Sequence, residues 1–266
     1  MASFNKKAEP PKRPMWSGRI SIGLVNVPVK LYTMVRDKTF SFRFLRKGDS
    51  CPLGYQRVCT LDNKIVDWGD VARGYEVRKN EFVVFNKEEL DALRPEADER
   101  IRIDKFVHFL SVDPIYFDET YILAPDKSED AYSLFLAALR KLGMAGAGKF
   151  TLRNKERPVL VHVYRDSLVL TTLHYAYEVV DPNDLEEVKE LKQPDEKELN
   201  LAVRVIQNLT GEFDITEYRD MFAERVDAMV KKKLKGESIV VERPKKEEVK
   251  ELMAALQETL KQLEKK

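Results

Sequence analysis

Short apolar segments that alternate in and out, parted by polar breaks of a few residues, constrain this chain more than any other feature. Ile20, Ile22 and Leu24 alternate with Ser21 and Gly23, and Ile101, Ile103, Lys105, Val107 and Phe109 share one face of a later segment. Residues 150–153, 159–164 and 168–177 follow, parted by Asn-Lys-Glu-Arg-Pro at 154–158 and Arg-Asp-Ser at 165–167. Period-two alternation is the mark of strands with one buried face, and the short polar breaks read as hairpin turns of an antiparallel meander. Many strands tightly joined in one unit expose unpaired edges unless the sheet curls on itself. The expected fold is therefore mainly β with α, built on a closed or nearly closed barrel.

Two helices interrupt the strands. Asn86 is placed to cap 87–93, with Glu89 completing a capping box. Ser128 precedes a longer helix that carries Tyr132, Phe135, Leu139 and Leu142 and stops at Gly143. After Asp181 the period changes. Leu199, Ala202, Ile206 and Leu209 recur at helical spacing up to Gly211, and a second helix is expected over about 216–234, with Tyr218, Phe222, Val226 and Met229 apolar. Lys231, Lys232 and Lys233 suit the negative end of its dipole. Beyond a linker at 236–245, Val249, Leu252, Met253, Leu256, Leu260 and Leu263 form an apolar stripe on a highly charged helix. With little core left to join, that helix reads as a docking peptide.

Charge is unevenly spread. Residues 1–47 hold eleven Lys or Arg against Glu9 and Asp37, while the whole chain is only +1. Residues 1–14 read as a flexible basic leader rich in Lys and Pro. From Lys30 to Lys47 the cations alternate with Phe40, Phe42 and Phe44, which predicts a basic sheet surface facing phosphate. No window of about 18 uncharged apolar residues is present, so no membrane span is expected. The leader lacks an apolar core, so no secretory signal is expected. Two cysteines in 266 residues fit a reducing compartment. These features predict an intracellular protein.

Catalytic constellations are missing. Gly143-Met-Ala-Gly-Ala-Gly-Lys149 approaches a phosphate-binding loop, but Phe150 stands where Ser or Thr would hold magnesium, and the segment runs from helix to strand rather than the reverse. Gly146 and Gly148 are expected instead to give a tight turn positive φ. Cys51 and Cys59 supply half of a zinc ligand set at most, with Asp62 a poor substitute for a further thiolate, so no metal is expected. His108, His162 and His174 lie in strand-like segments without a nucleophile nearby. No cofactor and no enzyme activity are expected. The segment 150–157 sets Arg153, Lys155 and Arg157 on a hairpin tip that can meet a sugar-phosphate chain.

Several stretches together resemble the prokaryotic Ku proteins of DNA double-strand-break repair, over nearly the whole chain. They are Trp16-Ser-Gly-Arg-Ile-Ser-Ile-Gly-Leu-Val-Asn-Val-Pro-Val-Lys-Leu-Tyr32, Gly74-Tyr-Glu76 with Phe82-Val-Val84 and Glu88-Glu-Leu90, and Phe150-Thr-Leu-Arg-Asn-Lys155. Phe213-Asp214, Tyr218-Arg-Asp220, Lys233-Leu-Lys-Gly236 and Leu252-Met-Ala-Ala-Leu256 complete the set. The resemblance implies a barrel with a DNA-encircling bridge over 15–194, a helical dimerisation arm over 195–235, and a ligase-docking helix over 246–266. It further implies a homodimeric ring that takes double-stranded DNA ends without regard to sequence and recruits an ATP-dependent ligase of the ligase D type in non-homologous end joining. The ring lining implied is Lys30, Arg36, Lys38, Arg43, Arg46, Lys47 and Arg57, with Arg78, Lys79, Arg153, Lys155 and Arg157. Ligase docking falls to Val249, Leu252, Met253, Leu256 and Leu260. Relatives carry a fuller set of cysteines around Cys59, and some carry a lysine-rich extension beyond the terminal helix. The competing readings are a duplex-coating protein without a closed ring and a nucleotide-binding enzyme built on Gly143–Lys149.

Overall fold

Trp16–Ile22 (β1) and Val25–Thr33 (β2) open the chain as an antiparallel hairpin, turning at Gly23 with φ +56°. The structure is a computed structural model that describes residues 10–38, 40–93, 99–152, 155–236, and residues 256, 257 and 259. Arg73–Arg78 (β3) and Glu81–Phe85 (β4) make a separate two-stranded sheet, followed by the helix Lys87–Ala92 (α1). Arg100–His108 (β5), Phe117–Pro125 (β6), the helix Glu129–Leu142 (α2), Met144–Leu152 (β7), Lys155–Tyr164 (β8) and Ser167–Leu173 (β9) complete the set. Seven strands close into a barrel in the order β1-β2-β6-β9-β8-β7-β5. Every neighbouring pair is antiparallel except β1 with β5, which run parallel from Arg19↔Arg100 to Ser21↔Arg102 and shut the sheet. The expected mainly-β barrel with helices is the fold observed.

Alternate residues fill the interior. Ile20, Val29, Leu31, Ile101, Leu123, Val161, Leu168 and Leu170 are fully buried in one cluster with Phe150 and Val159. A barrel this narrow is packed by its own side chains rather than hollow. Helix α2 adds Tyr132 and Leu139 to that core. Its αL glycine stop is Gly143, φ +63°, as the sequence predicts. The Tyr132 hydroxyl donates to the Leu123 carbonyl at 2.7 Å and accepts from the Leu168 amide at 2.8 Å. Those two residues face each other across β6 and β9, so one side chain serves both polar groups where the strand pair ends. The Asn86 capping box is also present, with Glu89 N–H to Asn86 Oδ1 at 2.8 Å and Asn86 N–H to Glu89 Oε2 at 2.9 Å.

Several expectations are corrected. The described residues between 34 and 72 contain no strand, only the isolated bridges Leu45↔Pro52 and Val58↔Ile65. Phe42 and Phe44 are 71% and 70% exposed, so the alternation there has no buried face to enforce it. Leu24 is at the hairpin tip, fully exposed, rather than in β1. A register shift between Ile103 and Lys105 ends the simple alternation of β5. Strand β8 begins at Lys155, paired with Leu152, so Lys155 and Arg157 lie in a strand and not on a loop tip. Gly146 and Gly148 sit inside β7 without positive φ. Their purpose is close approach: a Cβ on Gly148 would lie 1.7 Å from the Arg102 carbonyl oxygen.

Of the described residues, 10–180 fall in one compact unit and those from 181 onward in another. In the second, Glu186–Lys189 (α3), Glu196–Asn208 (α4) and Met221–Leu234 (α5) are the helices described. Helix α4 is capped by Asp195 and ends at Leu209, ahead of Gly211. Helix α5 starts five residues later than expected because Asp220 caps it, accepting from Ala223 N–H at 2.9 Å, after a 3-10 turn at Ile215–Glu217. Among the described residues no helix is long and apolar enough to cross a membrane. The linker 237–245 lies outside the described residues, as does the docking stripe except Leu256, which is helical and half-buried.

Three substitutions test the barrel. Tyr132→Phe leaves two buried backbone groups without a partner and should cost about 1–3 kcal/mol in urea unfolding. Gly148→Ala forces a side chain onto a backbone carbonyl and should cost about 3 kcal/mol or more. Gly23→Ala, with positive φ but nothing within 4 Å, should cost only about 1–2 kcal/mol.

Candidate nucleic-acid interface

The excursion from Thr33 to Arg100 is anchored on the barrel at both ends. β2 ends opposite the start of β1 (Trp16↔Leu31), and β5 begins beside Arg19 of β1. The chain therefore leaves and returns at the same end of the barrel, on either side of β1. Residues 36–57 of this excursion hold six Lys or Arg against Asp37 and Asp49.

The predicted cations divide by what already holds them. Arg36, Arg43, Lys47, Lys79 and Lys155 are exposed and form no ion pair among the described residues. Lys38 is exposed as well. Arg46 pairs with Asp49, its Nε 3.1 Å from both carboxylate oxygens. The hydrogen bond raises Arg46 and lowers Asp49 from their ordinary pKa values. Arg57 stacks on the Trp68 ring, 4.0 Å from its centroid. Arg78 lies 3.8 Å from Glu81 beside the β3–β4 turn, where Asn80 adopts φ +64°.

On the barrel, Lys30 of β2 donates to Asp126 at 2.7 Å, a hydrogen bond that raises its pKa. Arg157 of β8 is half-buried, its Nη1 3.3 Å from Asp118 Oδ2 but off the hydrogen-bonding direction, leaving that nitrogen without a hydrogen-bond partner. Arg153 lies outside the described residues.

A further cationic cluster escaped the sequence reading. Arg19 and Arg100 are register partners across the parallel β1–β5 pair, and Arg102 is the partner of Lys149 across β5–β7. All four are exposed, and Lys149 also meets Glu156 at 3.2 Å. Like charges directly opposed across strands repel, and Glu156 offsets this at Lys149. The signal was invisible because the residues are far apart in sequence and only strand register joins them.

Other candidate chemistry resolves into structure. Residues 143–149 pass directly from α2 into β7, with no phosphate-cradling loop. His162 packs its ring 4.5 Å from Phe109, and its Nε2 lies 3.0 Å from Thr171 Oγ1, which in turn meets Thr120 Oγ1 at 3.0 Å. Burial holds the His162 pKa below its ordinary value. Cys51 and Cys59 are both free thiols, and no group of three His, Cys, Asp or Glu among the described residues is arranged to hold a metal.

Residues 21–201 match the family model described as the Ku70/Ku80 beta-barrel domain, which spans most of the barrel seen here. The chain is 35% identical over 251 residues to the non-homologous end joining protein Ku of Bacillus subtilis, covering 92% of this chain and 81% of that one. It is 35% identical to the protein of the same name from Archaeoglobus fulgidus, over 93% and 98% of the two chains. The Solibacter usitatus counterpart is 36% identical over 95% and 94%. Matched in its closed barrel and along nearly its whole length, the chain belongs to the Ku family.

Proposed function

We propose that this protein is a non-catalytic, homodimeric ring that binds double-stranded DNA ends in non-homologous end joining and recruits an ATP-dependent ligase. The observation that carries the DNA reading is the set of exposed cations on the barrel-anchored excursion, Arg43 and Lys47 foremost, that form no ion pair among the described residues. Cations committed to no carboxylate exchange bound counterions for phosphates, which yields affinity without base readout. Arg36, Lys79 and Lys155 are further exposed cations without an ion pair among the described residues, and Lys38, Arg19, Arg100, Arg102 and Lys149 add exposed positive charge. Lys30, Arg46, Arg78 and Arg157 each have a carboxylate nearby, so they contribute field more than new contacts.

Self-association is supported by apolar surface in both units. Tyr75, Phe82 and Val84 of the β3–β4 sheet are exposed, and so are Leu199, Val203 and Ile206 on the stripe of α4. Phe213 and Phe222 are 77% and 67% exposed. Apolar surface of this extent marks a protein interface rather than a solvated face. Residues 195–235 are assigned to the dimer contact, and 246–266 to ligase docking.

Three outcomes are expected. In gel shifts, linear duplex should bind while covalently closed circles of the same sequence should not; equal affinity contradicts the ring and favours lateral coating. Replacing Arg43 and Lys47 together by Ala should lower the slope of log K against log salt by about 2. Deleting 246–266 should preserve end binding and abolish stimulation of the ligase, and loss of end binding would instead assign that helix to the dimer.

A further inference from the structure

The excursion contains the same ten-residue turn twice, 13 positions apart, although residues 44–53 and 57–66 share only one identical pair, Asp49 and Asp62. The backbone bonds coincide. Arg46 N–H donates to Cys51 O at 2.8 Å, as Cys59 N–H does to Lys64 O at 2.8 Å; Ser50 N–H donates to Arg46 O as Asn63 N–H does to Cys59 O. Leu53 N–H reaches Phe44 O, and Val66 N–H reaches Arg57 O, both at 3.0 Å. The isolated bridges Leu45↔Pro52 and Val58↔Ile65 are the equivalent positions, and Ser50 and Asn63 are left-handed at φ +56° and +58°. Cys51 matches Lys64 in this repeat and Cys59 matches Arg46, so the two thiols are not equivalent groups.

The shared aspartate has one task in both copies. Asp49 Oδ1 accepts from the Cys51 amide, and Asp62 Oδ1 from the Lys64 amide, each at 3.2 Å and each spanning the left-handed residue. An aspartate that accepts from the amide two residues on closes an Asx-turn around the left-handed residue. Each carboxylate then ties the turn to a neighbouring cation, Asp49 to Arg46 and Asp62 to Lys64 at 3.1 Å. No residue from 40 to 57 is buried, so no core substitutes for these bonds.

We propose that Asp49 and Asp62 are positioning residues that hold Arg43, Lys47 and Arg57 in place for phosphate, an inference that rests on the DNA-binding reading above. It predicts an effect opposite in sign to simple electrostatics. Removing a carboxylate from a phosphate-facing surface lowers repulsion and should strengthen binding; removing the turn's only side-chain acceptor scatters the cations and weakens it.

The test uses the full chain with Asp49→Ala/Asp62→Ala and, beside it, Asp49→Asn/Asp62→Asn, in which the amide oxygen keeps the acceptor without the charge. Hydrogen exchange at the Leu53 and Val66 amides and affinity for a blunt duplex end are both read. The alanine pair should lose amide protection and bind roughly tenfold more weakly, the loss of one to two phosphate contacts, while the asparagine pair keeps protection and binds at least as tightly as wild type. Alanine variants that bind as well as wild type, or asparagine variants that lose protection as the alanine ones do, overturn the proposal. Arg43→Ala/Lys47→Ala serves as the control: if that variant binds ends like wild type, the DNA reading of the segment fails, whereas the exchange data still decide whether the aspartates hold the turns.

Discussion

Closure of the barrel through the parallel β1–β5 pair is the constraint on which the rest depends. It requires β7 to pass against the bulged β5 at Gly148, where a single methyl group would meet the Arg102 carbonyl. Once shut, the sheet has no free edge, and its interior is filled by Ile20, Leu31, Ile101, Leu123, Phe150 and Leu170. The same closure sets both roots of the 34–99 excursion beside β1. A long, coreless segment can then keep a defined origin and return, because each root is part of a fully paired sheet.

That arrangement separates stability from function. The core lies in the barrel, where α2 contributes a hydroxyl that serves two strands at once. The cations of the excursion lie outside it, on a segment organised by turns and ion pairs instead of burial. Exposed ion pairs contribute little to stability, so the order of that segment comes chiefly from backbone bonds and the side-chain acceptors that replace them.

Much of this was legible in the sequence where a residue acts locally. Asn86 with Glu89, and Gly143 after the Tyr132–Leu139 stripe, announce a helix start and a helix stop by chemistry that operates within a few residues. The strand alternation around Ile20 is readable because one face is truly buried. The same pattern at Phe40, Phe42 and Phe44 misled, since alternation reports a strand only if a partner and a core exist. In the sequence Gly148 reads as a turn residue because its real constraint, the Arg102 carbonyl, is 46 residues away in the chain. The Arg19–Arg100 and Arg102–Lys149 pairs were hidden for the same reason, and the twin turns because their common bonds are backbone bonds, with Asp49 and Asp62 the one shared side chain.

The account stands or falls on whether the assembled protein surrounds its DNA. Loading the protein on linear duplex, ligating the duplex into a circle, and then raising the salt tests this directly. A closed ring should stay threaded on the circle at salt that strips it from linear DNA, and cutting the circle should release it. Release from circle and linear DNA at the same salt would contradict the enclosure.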